Sequence, residues 1–496
     1  MRAGGCIRRL ILAWAAMVLL PTLSVFAQDA VTAYLFGLRD GTIGCGGDAT
    51  MLEPAGFIAE DKRGEPFTTV DLGGTYSDLY RPGGMEGPGS SWLRGGHLGV
   101  THQRRDWLAW SLGARVRNTA AMSDVQLDDQ TSVTGRTART GAAVVLRGRK
   151  EWLAGYADVG WRDQGRPESA FGVRVDPWPW AAAAVRWQRR AQDLDVVGYH
   201  GGDALDLTVD AATETVDGWL RLDPWPWIGV EGAFARRLWI AGNTQGLTPT
   251  LLPWGDDQRA AGFVRATWRG WRLSLGARWF DAGLQAYGRK GDYNFAKLTK
   301  ADLSVESRVV QLRVPLAGDD TFFFADGEWG WINGALRGHT EFWPWTSGWI
   351  DYLGLRRYGR GELGARFTRL HAGWQQPVSE RVTLQAGAQT VALTFDRASE
   401  FEHWRPAVLI FGKEDVQLAS LKMRQVTVGQ LNFGVVYQGN GWSLSYAFSQ
   451  LLPVSSAEWR DAGDGEPSEP SPGGGGTRVS EYGGATHVVR VAVELD

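Results

Sequence analysis

Again and again the chain returns to one pattern that few folds tolerate: stretches of about ten residues with an apolar side chain at every second position. Leu108, Trp110, Leu112, Ala114 and Val116 alternate with Ala109, Ser111, Gly113, Arg115 and Arg117. Leu153, Gly155, Ala157, Val159 and Trp161 alternate with Tyr156, Asp158 and Arg162. Leu273, Leu275, Ala277 and Trp279 alternate with Arg272, Ser274, Gly276 and Arg278. The same spacing runs through 181–190, 431–437 and 442–449, and the terminal "HVVRVAVELD" puts Val489, Val491, Val493 and Leu495 on one face. A strand turns successive side chains to opposite faces. Each stretch is therefore a two-faced strand, of the length that crosses a bilayer when tilted.

The strands pair through short turns at Gln103–Asp106, Gly148–Glu151, Asp176–Trp180, Asp223–Trp227, Arg269–Gly270, Ala317–Asp320, Gln375–Glu380 and Gln438–Gly441. Between the pairs lie longer polar connections at 118–138, 191–214, 238–260, 281–302, 334–360, 397–424 and 452–482. Short turns on one rim and long loops on the other mark an outer-membrane barrel. With a strand near Phe67–Tyr80 and the terminal strand, the hairpins predict an all-β, transmembrane, antiparallel up-and-down barrel of about 18 strands, 14–18 fitting the loose boundaries. Even parity puts both termini on the short-turn, periplasmic side. Residues 65–496 are the predicted barrel, and 28–64 are expected as a periplasmic segment or a plug. Soluble sandwiches and propellers also alternate. Tryptophans near strand ends, arginines on the opposite face and alternating turn lengths weigh against them.

Residues 1–27 read as a secretory signal: Arg2, Arg8 and Arg9, then "LILAWAAMVLL", then "VFA" with cleavage after Ala27. Removing them takes away three arginines and no acid, so the net charge of −3 falls to −6. So weak a charge argues for no nucleic-acid partner. Cys45 is left alone in the mature chain, which excludes a disulfide scaffold and a Cys-based metal site. The seven histidines are scattered, and no nucleophile-elbow, phosphate-loop or dinucleotide motif is present. The reading has no catalytic residue, no metal and no cofactor, so the chain is not expected to be an enzyme.

Ten of the chain's 26 tryptophans lie at or beside the short turns. The pentapeptide Asp-Pro-Trp-Pro-Trp occurs twice, at Asp176–Trp180 and Asp223–Trp227. Proline in a turn costs no ladder hydrogen bond, and tryptophan at the end of a lipid-facing strand suits the headgroup layer. Trp178, Trp180, Trp225, Trp227, Trp268, Trp271, Trp374 and Trp442 are the predicted aromatic girdle, with Trp107 and Trp152 beside other short turns.

If the apolar parity meets lipid, the other parity lines the lumen. It carries Arg115, Arg117, Arg162, Arg174, Arg186, Arg190, Arg237, Arg272, Arg278, Arg313 and Arg490, against Asp158, Glu231, Asp326, Glu328 and Glu494. One reading is a water-filled passage that favours anions. The other is that the arginines pair with carboxylates and brace the wall.

The signal, the alternating strands, the aromatic turns and "HVVRVAVELD" resemble bacterial outer-membrane β-barrel, porin-like proteins. These usually end on an aromatic residue, whereas this chain ends Leu495-Asp496. A narrower likeness is to the long-chain fatty-acid outer-membrane transporter family. It rests on "VVYQGNGWSLSYAFSQ" with "YGGATHVVRV", and on "GCGGDATMLEPAG", where Glu53-Pro54-Ala55 stands for the Asn-Pro-Ala of that family's hatch. That family's barrel has fewer strands than are counted here. The resemblances imply outer-membrane lipid and the barrel-assembly machinery as partners, with a small anionic solute or an acidic polysaccharide as cargo. Three functions stay open: an anion-favouring channel, a dedicated transporter (acidic polysaccharide export or fatty-acid-type uptake), and a non-conducting structural barrel.

Overall fold

The structure, a computed structural model, describes residues 66–80, 91–105, 108–126, 131–162, 166–200, 203–242, 250–290, 293–317, 320–340, 358–395, 399–405, 414–421, 426–452 and 483–495, with short strands at 38–39 and 42–43. Almost everything described is strand. In chain order the elements are β1 (Leu38–Arg39), β2 (Thr42–Ile43), β3 (Phe67–Tyr80), β4 (Ser91–Arg105), β5 (Ala109–Gln126), β6 (Thr131–Lys150), β7 (Leu153–Arg162) and β8 (Arg166–Trp178). They continue with β9 (Ala181–His200), β10 (Asp203–Trp225), β11 (Ile228–Ala241), β12 (Thr250–Trp268), β13 (Trp271–Lys290), β14 (Tyr293–Ala317) and β15 (Thr321–Thr340). The last are β16 (Tyr358–Pro377), β17 (Val382–Phe395), β18 (Ser399–Arg405), β19 (Glu414–Leu421), β20 (Val426–Gln438), β21 (Trp442–Leu452) and β22 (Gly483–Leu495).

From β3 to β22 these strands close into one barrel, β22 pairing antiparallel with β3. β16 pairs first with β18 and lower down with β17, so β17 and β18 are two halves of one wall strand. β19 and β20 continue one another in the same way opposite them. The wall is therefore an 18-strand, antiparallel, up-and-down transmembrane barrel.

The turns obey local chemistry. Between β12 and β13 the ladder closes at Trp268 and Trp271, leaving Arg269 and Gly270 at φ 49° and 84°. Two consecutive positive φ values are what the twist of a two-residue hairpin requires, and glycine adopts its share without strain. Asp176 N–H donates to Trp152 O, Asp223 N–H to Trp180 O, and Thr267 N–H to Trp227 O, which stitch neighbouring hairpins together at the short-turn rim.

The far rim departs from the sequence reading. Residues 118–138, 191–214 and 281–302 were expected as loops, yet strands fill most of them: β5 runs to Gln126, β10 begins at Asp203, and β14 reaches 25 residues. About ten residues suffice to cross a bilayer. Above it both faces meet water, so the backbone ladder continues without alternating side chains to announce it.

The interior parity can be fixed without reference to polarity. Phe322 and Phe324 of β15 pack on Ala447 of β21, four strands away around the wall, with Val488 of β22 beside them. Side chains that far apart can meet only through the inside. Phe324 lies over Gly373, where a Cβ would come within 2.3 Å of its ring, and Gly373 pairs with Gly387. Phe324 fills the space that the missing side chain of Gly373 leaves. The strands β1 and β2 form a hairpin beside β17, β20 and β21. The expected signal, its cleavage site, Cys45, Trp107 and the acidic stretch within 453–482 lie outside the described residues.

Candidate functional site: an interior of clamped carboxylates

Carried around the ring by register, the parity of Phe324 reaches every arginine expected on the inner face. Phe324 lies opposite Arg313 and Arg313 opposite Arg272. Arg278 lies opposite Ser307, Arg237 opposite Asp257, Arg186 opposite Asp217, Arg174 opposite Ala184, Arg190 opposite Thr213, and Arg490 opposite Gly73. Arg115, Arg117 and Arg162 share that face through Ala143 and Gly141. The expected acids Asp158, Glu231, Asp326, Glu328 and Glu494 lie on it too.

Sequence reading found only part of the charge. Asp71, Glu168, Asp176, Asp217, Asp223 and Asp257 also face inward, as do Arg147, Arg149, Arg221, Arg259, Arg265 and Arg369. The additions match one another, so the excess of arginine persists.

Five of these carboxylates are each held by two arginines. Arg149 (3.2 Å) and Arg174 (2.8 Å) converge on Asp176. Arg221 (3.1 Å) and Arg265 (2.5 Å) converge on Asp223. Arg237 (2.5 Å) and Arg259 (3.5 Å) hold Asp257, to which Trp239 Nε1 also donates at 2.9 Å. Arg162 and Arg190 each stand 3.7 Å from Glu168. Arg278 (3.0 Å), Arg369 (4.0 Å) and the Ser307 hydroxyl (2.6 Å) surround Glu328. Arg490 and His97 share Asp71 at 2.9 and 3.3 Å. Arg115 bonds Asp158, and Arg186 bonds Asp217 at 2.6 Å. Asp326 differs. Its nearest basic side chain is His371, with Nδ1 at 3.5 Å; both side chains are buried, and neither makes a hydrogen bond among the described residues.

The interior has two regions. Beside Phe324, the inner face from β15 round to Thr486 of β22 is closely packed: Gln389, Gln430, Asn432, Ser449 and Thr486 are buried although polar. On the other side, inner arginines reach solvent. Arg117 is exposed, and the Arg115, Arg190 and Arg490 side chains keep 46%, 42% and 42% of their surface.

The outer face carries the apolar side chains. Leu72, Val116, Leu146, Val185, Leu220, Leu275 and Leu370 are exposed. At the short-turn rim Trp178, Trp180, Trp225, Trp227, Trp268, Trp271 and Trp442 are exposed too, and Trp374 is half-buried. In each Asp-Pro-Trp-Pro-Trp turn the aspartate points inward to its two arginines. The two indoles stack outside, with centroids 5.0 Å apart in the first and 5.8 Å in the second. The repeat is thus a device with both ends in use: a carboxylate pinned from within and an aromatic pair presented without. A second, higher row was missed: Trp161, Trp279, Trp329 and Trp331 are exposed about eight residues above the turns.

No protein-family profile matches the chain, and no curated protein matches it. Solved structures match at low identity. Pseudomonas aeruginosa OccK8 (OprE) is 8% identical at a TM-score of 0.41, over 89% of this chain and 100% of that one. Acinetobacter baumannii OccAB4 is 10% identical at 0.39, over 88% and 100%. The TodX monoaromatic hydrocarbon channel deltaS2 mutant is 9% identical at 0.31, over 87% and 90%. Likenesses so distant say nothing of what this barrel carries. Its own ring of strands, polar within and apolar without, makes the chain a transmembrane β-barrel.

Proposed function

We propose that the protein is an outer-membrane channel that passes small solutes and favours anions, through the solvent-reaching side of the barrel beside Arg115, Arg117, Arg190 and Arg490. The ratio of charges within the clamps carries this reading. A carboxylate bridged by two arginines leaves one net positive charge, so pairing steadies the wall without neutralising it. In a narrow polar passage such a field raises anion concentration and lowers the barrier to anion entry. The hairpin β1–β2 beside β17, β20 and β21 supports a second assignment, that residues 28–64 form a plug on the closely packed side. Residues 1–27 direct export and are removed, and the tryptophan rim sits at the headgroups.

The test is single-channel recording of the purified protein in planar bilayers under a KCl gradient. The reversal potential is expected on the anion-selective side. Arg117→Gln with Arg190→Gln should move it towards zero, and deletion of residues 28–64 should raise conductance. A folded barrel that never conducts, with or without that segment, would leave the structural-barrel reading standing.

A further inference from the structure

We infer that His97 makes the anion preference of the passage depend on pH, its imidazolium adding a second net positive charge to the lumen row Arg117, His97, Gly73 and Arg490. The inference rests on the channel reading above and names how that site is regulated.

Register builds the row. Arg490 of β22 lies opposite Gly73 of β3, Gly73 opposite His97 of β4, and His97 opposite Arg117 of β5. Residues directly opposed in an antiparallel pair share a face, so the whole row looks into the barrel. Gly73 decides where the imidazole lies. A Cβ there would run into the His97 ring, so the ring lies across β3 where a side chain would otherwise stand. From that position Nε2 stands 3.3 Å from Asp71 Oδ2. Arg490 donates to the same carboxylate, Nε to Oδ1 at 2.9 Å and Nη2 to Oδ2 at 3.2 Å.

The charged groups that face His97 are Asp71 on β3, Arg490 beyond it on β22, and Arg117 and Arg115 on β5. Arg115 bonds Asp158, which offsets its charge. Arg117 and Arg490 against Asp71 leave one net positive charge, and an imidazolium makes it two. An ionised carboxylate only accepts, so the ring presents Nε2–H to Asp71 whether neutral or charged. Protonation therefore changes the charge of the row without requiring the wall to move.

Exposure sets this histidine apart. Its side chain keeps 40% of its surface, in the region where the arginines reach solvent, so protons arrive from the water of the passage. His371 shares the inner face but is buried, and His102 and His487 sit on the outer face opposite Leu112 and Phe448. Histidine is the side chain whose ordinary charge change falls between about pH 5 and 8. A unit charge at the wall of a water-filled passage raises anion occupancy and lowers cation occupancy, which at about 0.1 M salt amounts to about twofold in the permeability ratio.

The test is the reversal potential of the full-length protein in planar bilayers under a KCl gradient, because neither ion titrates. Between about pH 8 and about pH 5.5 the chloride-to-potassium permeability ratio is expected to rise about twofold, and the rise should fade at about 1 M salt. His97→Gln should keep the ratio that the parent shows at about pH 8 and lose the rise, while His102→Gln on the outer face should retain it. A channel that prefers anions but ignores pH, or a rise that survives His97→Gln, would overturn this inference alone. A channel with no anion preference at about pH 8 would refute the selectivity reading, yet a rise on acidification that His97→Gln abolishes would still support the role of His97. A barrel that never conducts would overturn both.

Discussion

Asp257→Asn isolates what a clamp is worth. Asp257 is buried, at 2% exposure; it accepts from Arg237 at 2.5 Å and from Trp239 at 2.9 Å, and Arg259 stands 3.5 Å away. The substitution keeps volume and one acceptor oxygen, so no cavity forms and only the charge is lost. Arg237 is buried as deeply as a core residue, at 7% exposure. Removing one member of a buried pair leaves the other charge uncompensated, at a cost of about 3–5 kcal/mol. Urea unfolding of the protein refolded into lipid vesicles, followed by tryptophan fluorescence and by loss of the compact gel band, measures it. Asp257→Leu with Arg237→Met should recover most of the loss, because an apolar pair of similar volume often matches a buried ion pair. If Asp257→Asn unfolds within about 1 kcal/mol of the parent, the carboxylate is not a structural anchor and the bracing argument fails.

Three further outcomes follow from the same geometry. Arg115→Gln removes a pair whose arginine side chain is 46% exposed, so its effect on stability should stay within about 1 kcal/mol while ion selectivity shifts; a large destabilisation would refute the exposed placement. Leu275→Arg puts a charge on the outer face midway between Trp271 and Trp279, where about 2–4 kcal/mol is expected in the same urea assay; a neutral result would deny that this face meets hydrocarbon. Gly373→Val drives a branched side chain into the Phe324 ring, 2.3 Å from where its Cβ would stand, and should slow refolding and lower thermal stability; tolerance would show that Phe324 is not packed against Gly373.

Where chemistry differs between the two faces of a strand, the sequence could be read. Leu273, Leu275 and Ala277 must meet lipid, so Arg272, Ser274 and Arg278 must not, and period-2 spacing gives the inner arginines together with the strands. The limits are equally physical. Asp217 and Arg221 sit in a segment whose outer residues, Val216 and Leu220, alternate too weakly with "TVDGWLRL" to set the parity by eye. Trp219 and Trp239 belong to the interior, donating to Glu231 and Asp257, and nothing local separates them from the girdle tryptophans. The upper tryptophans were passed over because they do not adjoin short turns. Which carboxylate meets which arginine depends on register across strands far apart in the chain: Arg490 and Asp71 are 419 residues apart.

The register also reconciles two readings that the sequence set against each other. A wall braced by ion pairs was the alternative to a wall that attracts anions, on the premise that pairing cancels charge. That premise needs one carboxylate for each arginine. Asp176, Asp223, Asp257 and Glu168 each face two. Two guanidinium groups close to one another repel, and the carboxylate between them offsets that repulsion, so each clamp holds its arginines in fixed positions with a charge left over. In the proposed anion-favouring channel, arginines held in that way would lose little further side-chain freedom when an anion passes, and they would not swing aside to let a cation through. On the proposed reading the bracing is the means by which a positive interior keeps its shape, and a channel built on it should lose selectivity and stability together at the buried clamps, but selectivity alone at Arg117 and Arg190.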